Sequence, residues 1–171
     1  QTPQVWKLPQ EFSDYYQHYD FPFKKTFPFL VTLLQYEWVE IEVFMMEDLP
    51  TDEFSLEKKL QEDGIIPNPE IKILSTEYPI HLKNVKEITE EDRGQYFVSV
   101  HRDFYTKHIH FNDLSYPFVE IILKANEGCF SRKDFIELLA RYDNDREKIM
   151  KLYQDFEQFA LQNTIFLGYR I

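Results

Sequence analysis

With 171 residues, 43% of them hydrophobic and 17% aromatic, the chain has a globular composition and length enough for one good core or two small ones. It contains no run of 18 apolar residues and no signal-peptide pattern. Its one cysteine, Cys129, rules out an internal disulfide framework or a cysteine-based zinc knuckle, so a cytoplasmic location is the simplest expectation. The net charge of -11 is uneven: residues 1–94 carry 9 Lys+Arg against 19 Asp+Glu, residues 95–171 carry 10 against 11, and neither half offers the basic footprint that duplex nucleic acid needs.

The chain opens on Gln1 rather than methionine, which points to a fragment of a longer protein. The first stretch, VWKLPQEFSDYYQHYDFPF, is dense in aromatics, and Pro9 suits the start of a short helix over Glu11–Gln17. The strongest helical signal follows, from Phe29 to Met46. There Leu30, Leu33, Leu34, Trp38, Ile41, Phe44 and Met45 recur at helical spacing, with Pro28 before them and Leu49-Pro50 after. Glu37 sits beside Trp38 at the edge of that stripe, where a surface or hydrogen-bonded carboxylate is the ordinary reading.

Phe54 to Asp63 reads as a short polar helix closed by Gly64 at a left-handed cap. The prolines of Ile65-Ile66-Pro67-Asn68-Pro69 forbid its continuation, and Ile71, Ile73 and Tyr78-Pro79-Ile80 read as extended. Lys83 to Gly94 is charged and aperiodic, as a linker or long loop is.

Next comes a hairpin. Tyr96, Val98 and Val100 alternate with Phe97, Ser99 and His101, and Tyr105–Phe111 alternates again. With His101 opposite Thr106, Val98 meets Ile109 and Tyr96 meets Phe111, leaving Ser99, His101, His108 and His110 on a polar, solvated face. Ser115 and Pro117 then open a helix with Phe118, Val119, Ile122 and Leu123 inward and Gly128 beyond its end. Ser131 with Asp134 caps a second helix, and Asp143-Asn144-Asp145 caps a third, lined by Ile149, Leu152, Tyr153, Phe156 and Ala160. Thr164–Ile171 is a closing strand. These elements make an α+β protein: an acidic, mainly helical lobe over 1–82, a linker over 83–94, and a winged-helix-like lobe over 95–171.

Chemistry is sparse. His101, His108 and His110 are the weak metal candidates, because alternate strand residues share a face, but no carboxylate or cysteine completes a tetrahedral set. His18 and His81 are isolated. Cys129 follows Gly128 at a helix exit, where nothing activates a thiol. There is no Gly-x-Ser-x-Gly elbow and no glycine-rich phosphate loop, and Glu90-Glu91-Asp92 reads as a solvated charge run, so we expect no catalysis and no cofactor. The helices Ser131–Arg141 and Asp145–Gln162 resemble a DNA-reading pair, yet Asp145, Glu147, Asp155 and Glu157 offset Arg146, Lys148 and Lys151. A strand edge beside a long helix also suits an extended peptide added to the sheet.

FPFLVTLLQYEWVEIEVFMMED, NPEIKILSTEYPIHLKN and QYFVSVHRDFYTKHIHFNDLSYPFVEIILK together resemble a bacterial DNA-binding domain family. The resemblance lies in the order of Glu37-Trp38, Asn68-Pro69, Tyr78-Pro79 and Asn112–Ser115, and runs from about Leu8 to Gly168. It implies the C-terminal portion of such a protein, without the N-terminal helical domain behind the family's label. It further implies an accessory partner of multinuclear non-haem iron oxidative enzymes that modify cysteine-rich precursor peptides. The C-terminal lobe is similar to peptide-recognition domains of ribosomal peptide biosynthesis, which hold a leader peptide along a strand edge and a third helix. The closing strand would either cover part of that groove or act as a wing.

The expectation is therefore a non-catalytic adaptor that binds a precursor peptide and a partner iron-dependent enzyme. The residues expected to hold the peptide are Tyr105, Lys107, Ile109, Lys148, Lys151 and Asp155. The alternative is a DNA-binding transcriptional regulator using the C-terminal helix pair.

Overall fold

The computed structural model describes residues 5–57, 64–128 and 130–171. In chain order the described elements are α1 (Leu8–His18), α2 (Leu30–Met45), β1 (Phe54–Ser55), β2 (Ile65–Pro67), β3 (Lys72–Thr76), β4 (Tyr96–Arg102), β5 (Ile109–Leu114), α3 (Tyr116–Asn126), α4 (Arg132–Leu139), α5 (Arg146–Gln162) and β6 (Phe166–Arg170). The protein is α+β, with two antiparallel three-stranded sheets ordered β1-β6-β2 and β3-β4-β5. No helix among the described residues is long and apolar enough to cross a membrane. Residues 58–63 of the expected polar helix and Cys129 lie outside the described residues.

The C-terminal helices start where their caps dictate. Ser131 and Asp134 form a reciprocal box, the Ser131 N–H donating to the Asp134 carboxylate at 2.8 Å and the Asp134 N–H to the Ser131 hydroxyl at 3.3 Å. The Asp145 carboxylate accepts from the N–H groups of Glu147 and Lys148. Ser115 holds the cap position of α3, but its side chain makes no capping bond. Helices α3–α5 bury Ile121, Ile122, Phe135, Phe156 and Ala160 against Ile65, Phe166 and Tyr169 of the first sheet. Phe156 lies at the centre, 5.7 Å from the rings of both Phe135 and Phe166.

Helix α2 runs across one face of the second sheet, where Val39 and Val43 meet Val98 and Val100. The apolar stripe expected from the sequence is not the buried one: Phe44 and Met45 are exposed, and the residues sealed within α2 are Thr32, Val39 and Val43. The helix is apolar nearly all round, so periodicity alone could not choose its inner face. It also has a second neighbour in α1, and Trp38 stacks on Trp6 at 5.9 Å. Glu37 is exposed.

Two other expectations are corrected. Phe54-Ser55 is not the start of a helix but a strand, paired with Arg170 and Tyr169 at the far end of the chain. Two residues carry no readable period, and their partners lie more than a hundred positions away. Gly64 does adopt the left-handed backbone, with φ 82°. The closing strand β6 is neither a wing nor a cover over the hairpin, since it is the middle strand of the first sheet. Three pairings, β1 with β6, β2 with β6 and β3 with β4, cross the expected lobe boundary. Residues 83–94 connect the paired strands β3 and β4, and bury Ile88 between two 3₁₀ turns.

Candidate functional site

The hairpin forms, with a register four residues from the one expected: Val98 faces Asp113, Val100 faces Phe111, and His101 faces His110. Because four is even, every side chain keeps its expected face. The turn sets the register. One oxygen of Asp103 accepts from the N–H groups of Tyr105 and Thr106 and from the Thr106 hydroxyl, and the other accepts from the Thr164 hydroxyl. Lys107, at φ 61°, then turns the chain so that the Asp103 N–H reaches the His108 carbonyl at 2.8 Å. Burial works to raise the Asp103 pKa, but these donors outweigh it and hold the carboxyl down at about 2.

Antiparallel ladders alternate, so the Asp103–His108 bond fixes the rest. The main-chain groups of His110, Asn112 and Leu114 point inward to β4. Those of Ile109, Phe111 and Asp113 point outward, along an edge with no strand beside it among the described residues. The same alternation carried across β4 turns Lys72, Leu74 and Thr76 of β3 toward β4, and Ile73 and Ser75 outward.

The two faces of this hairpin differ from expectation in one respect. Phe111 does lie on the apolar side, 4.7 Å from the Tyr36 ring. The polar side is not solvated at Ser99 and His101, both fully buried. The turn between α5 and β6 covers it, and the His101 Nε2–H donates to the Asn163 carbonyl at 2.7 Å. That bond fixes the tautomer and leaves Nδ1 buried without a partner. Burial lowers the His101 pKa. Alternation told which residues share a face, but not what would cover that face.

A polar junction that the sequence did not reveal locks the hairpin to both sheets. Arg102 Nε donates to the Glu70 carboxylate at 2.7 Å, with side chains 11% and 6% exposed. The other Glu70 oxygen accepts from the Leu49 N–H, and the Arg102 guanidinium also reaches Asp48. Asn68 donates to the carbonyls of Arg102 and Thr164. No local pattern links these residues, and the partners lie 21 to 96 residues apart.

Among the residues expected to hold a peptide, Tyr105, Lys107 and Ile109 cluster at the hairpin turn. Tyr105 is exposed beside Phe104, and Lys107 sits 5.5 Å over the Phe104 ring and 3.9 Å from Asp48. Helix α5 packs against α4 and β6: Asn163 at its end meets His101 of β4, and Phe156 in its middle stacks at 4.1 Å on Phe118 of α3. Asp155 is exposed beside Phe156, while Lys151 and Lys148 lie about 7 and 12 Å further along the helix, exposed. Lys148 is paired with Asp143 at 3.4 Å. Thus the turn residues are brought together, and the helix residues are not brought to them.

The histidines make no metal centre. The His101 and His110 rings are stacked 5.8 Å apart and nearly parallel, a geometry that does not converge lone pairs, and His108 is exposed. Among the described residues no group of three or more His, Cys, Asp or Glu could hold a metal ion. His81 is not isolated, since its Nε2 lies 2.9 Å from Asp113 on β5. His18 Nδ1 meets the Asp14 carbonyl. The helix pair α4–α5 carries cations that are already engaged: Lys133 with Glu137, Lys148 with Asp143, and Arg132 over the Tyr153 ring.

No model of a known protein family matches this chain. No curated protein matches it either.

Proposed function

We propose that the protein is a non-catalytic adaptor that holds a precursor peptide along the outer edge of β5 and presents it to a partner iron-dependent peptide-modifying enzyme. The observation behind this reading is the unpaired edge itself, with the main-chain groups of Ile109, Phe111 and Asp113 turned outward. An extended peptide adds to such an edge by main-chain hydrogen bonds, and neighbouring side chains select its sequence. Tyr105 and Lys107 flank one end of the edge. The partner enzyme enters through the sequence resemblance alone.

The test separates backbone from side chain at a single position. Asp113→Asn and Asp113→Pro both remove the carboxylate facing His81, but only proline removes the outward N–H. Pull-down with the precursor peptide and iron enzyme of the same gene neighbourhood should survive the Asn change and weaken roughly tenfold or more with Pro, about 1.4 kcal/mol. Equal binding by both variants would rule out addition at β5. Tight binding to random duplex DNA, falling steeply with salt, would favour a regulator instead.

A further inference from the structure

A second feature lies at the opposite edge of the same sheet. A cavity of about 630 Å³ lies between the first turns of α2 and the end of β3. Such a volume is within the usual range for ligand sites, roughly 300–1,000 Å³. Its walls carry three side-chain amides, Gln17, Gln35 and Gln95, and the hydroxyl residues Thr32 and Ser75. The charged side chain in the lining is Glu77, and its carboxylate is already taken by Arg93 at 3.0 Å.

The main chain adds a second, independent feature. Ser75 is one of the two β3 residues whose N–H and C=O turn away from β4, and Ser75 lines the cavity. Among the described residues no other strand pairs with that side of β3. The cavity thus opens onto an unpaired strand edge, with amides and hydroxyls beyond it.

We propose that this cavity is a binding site for an uncharged, polar peptide segment. Its main chain would pair with the outer edge of β3 at Ser75, and its Gln, Asn, Ser or Thr side chains would reach Gln17, Gln35 and Gln95. The lining selects this class. A buried cation would need a free carboxylate and a buried anion a free cation, and the lining supplies neither. A nucleobase would want an aromatic platform, and among the described residues no aromatic ring lines the walls. Side-chain amides, in contrast, both donate and accept, and pair readily with other amides and hydroxyls. The site is separate from the β5 edge, two strand spacings away across the sheet.

The test uses the full chain, labelled with ¹⁵N, and capped heptapeptides of Gln, Asn, Ser, Thr and Gly at up to about 1 mM, the weak end of specific binding. The expected result is a saturable shift of the Ser75 backbone amide and of the side-chain amides of Gln17, Gln35 and Gln95. The same peptides with two Lys or two Glu should bind roughly tenfold more weakly. Val31→Trp, at a half-buried position on the α2 wall of the cavity, should abolish the shifts, whereas Asp113→Pro should leave them. Gln35→Glu should turn the preference toward the Lys-containing peptides. The proposal is overturned if no neutral peptide gives a saturable shift, or if charged peptides bind equally well. It is also overturned if Asp113→Pro abolishes the shifts while Val31→Trp does not. Shifts at these amides that grow with protein concentration alone would make a second copy the occupant and would likewise refute it.

Discussion

In the first sheet β6 lies between β1 and β2, and both of its edges are taken by short segments from the first half of the chain. In the second sheet β4 is central, and among the described residues β3 and β5 each pair on one side only. Edge strands are a hazard that folded proteins blunt or cover. The first sheet is blunted, because its edge strands are two and three residues long. The second leaves five- and six-residue edges, one of them opening on a polar cavity. The same fold thus leaves short edges on one sheet and longer ones on the other. Both proposed binding sites lie on the open sheet.

The largest effect should come from breaking the link between the sheets. Glu70 lies between β2 of the closed sheet and β3 of the open one, and clamps Arg102 of β4. Glu70→Ala leaves a largely buried guanidinium with only the exposed Asp48 and a carbonyl of Glu47, and should destabilise the protein by about 3 kcal/mol in urea unfolding. If the sheets are one cooperative unit, the transition stays single and its midpoint falls. If they part, it splits into two phases and the slope drops.

The closed sheet should resist added volume where the open one does not. A Cβ on Gly168 would meet the Ser55 carbonyl oxygen and the Phe54 ring at 2.9 Å, and the first of these is backbone in the adjacent strand. Gly168→Ala should cost about 2–3 kcal/mol. Ser75→Thr, which adds a methyl at the exposed edge of β3, should fall within about 0.5 kcal/mol of the parent. Equal effects of the two changes would remove the distinction between a closed and an open sheet.

What the sequence made legible follows from the range of the forces involved. The capping of α4 by Ser131 and Asp134, and of α5 by Asp145, spans three residues and was readable. So was the face of each hairpin residue, because alternation is local, while the register was off by four because the Asp103 turn was not recognised. The β1–β6 pairing and the Glu70–Arg102–Asp103–Thr164 junction join residues brought together only by the finished fold. For the site, the β5 edge was legible as a hairpin strand. The β3 cavity was not, since Gln17, Gln35, Ser75 and Gln95 share no motif. The buried stripe of α2 was obscured by its own uniform apolarity.

The smallest effect should be a pH dependence arising at the covered face of the open sheet. His101 is held neutral by burial, with Nε2–H committed to the Asn163 carbonyl and no acceptor at Nδ1. The unfolded chain therefore binds a proton near the ordinary value of 6.5 that the folded chain refuses, so stability is lost as pH falls below that value. His110 from β5, if protonated, adds repulsion, and Asp103 from the turn opposes it. A second loss follows in stronger acid. Asp103 is held at about 2 when folded, so its contribution, on the order of 1–2 kcal/mol, is present above the ordinary carboxyl range and lost between there and pH 2. Urea midpoints measured from neutral to acid pH should thus fall in two steps. His101→Gln should flatten the first step and keep the second, whereas Asp103→Asn should remove the second and keep the first. A first step that survives His101→Gln would assign it to another histidine and leave the covered face with no role in the acid response.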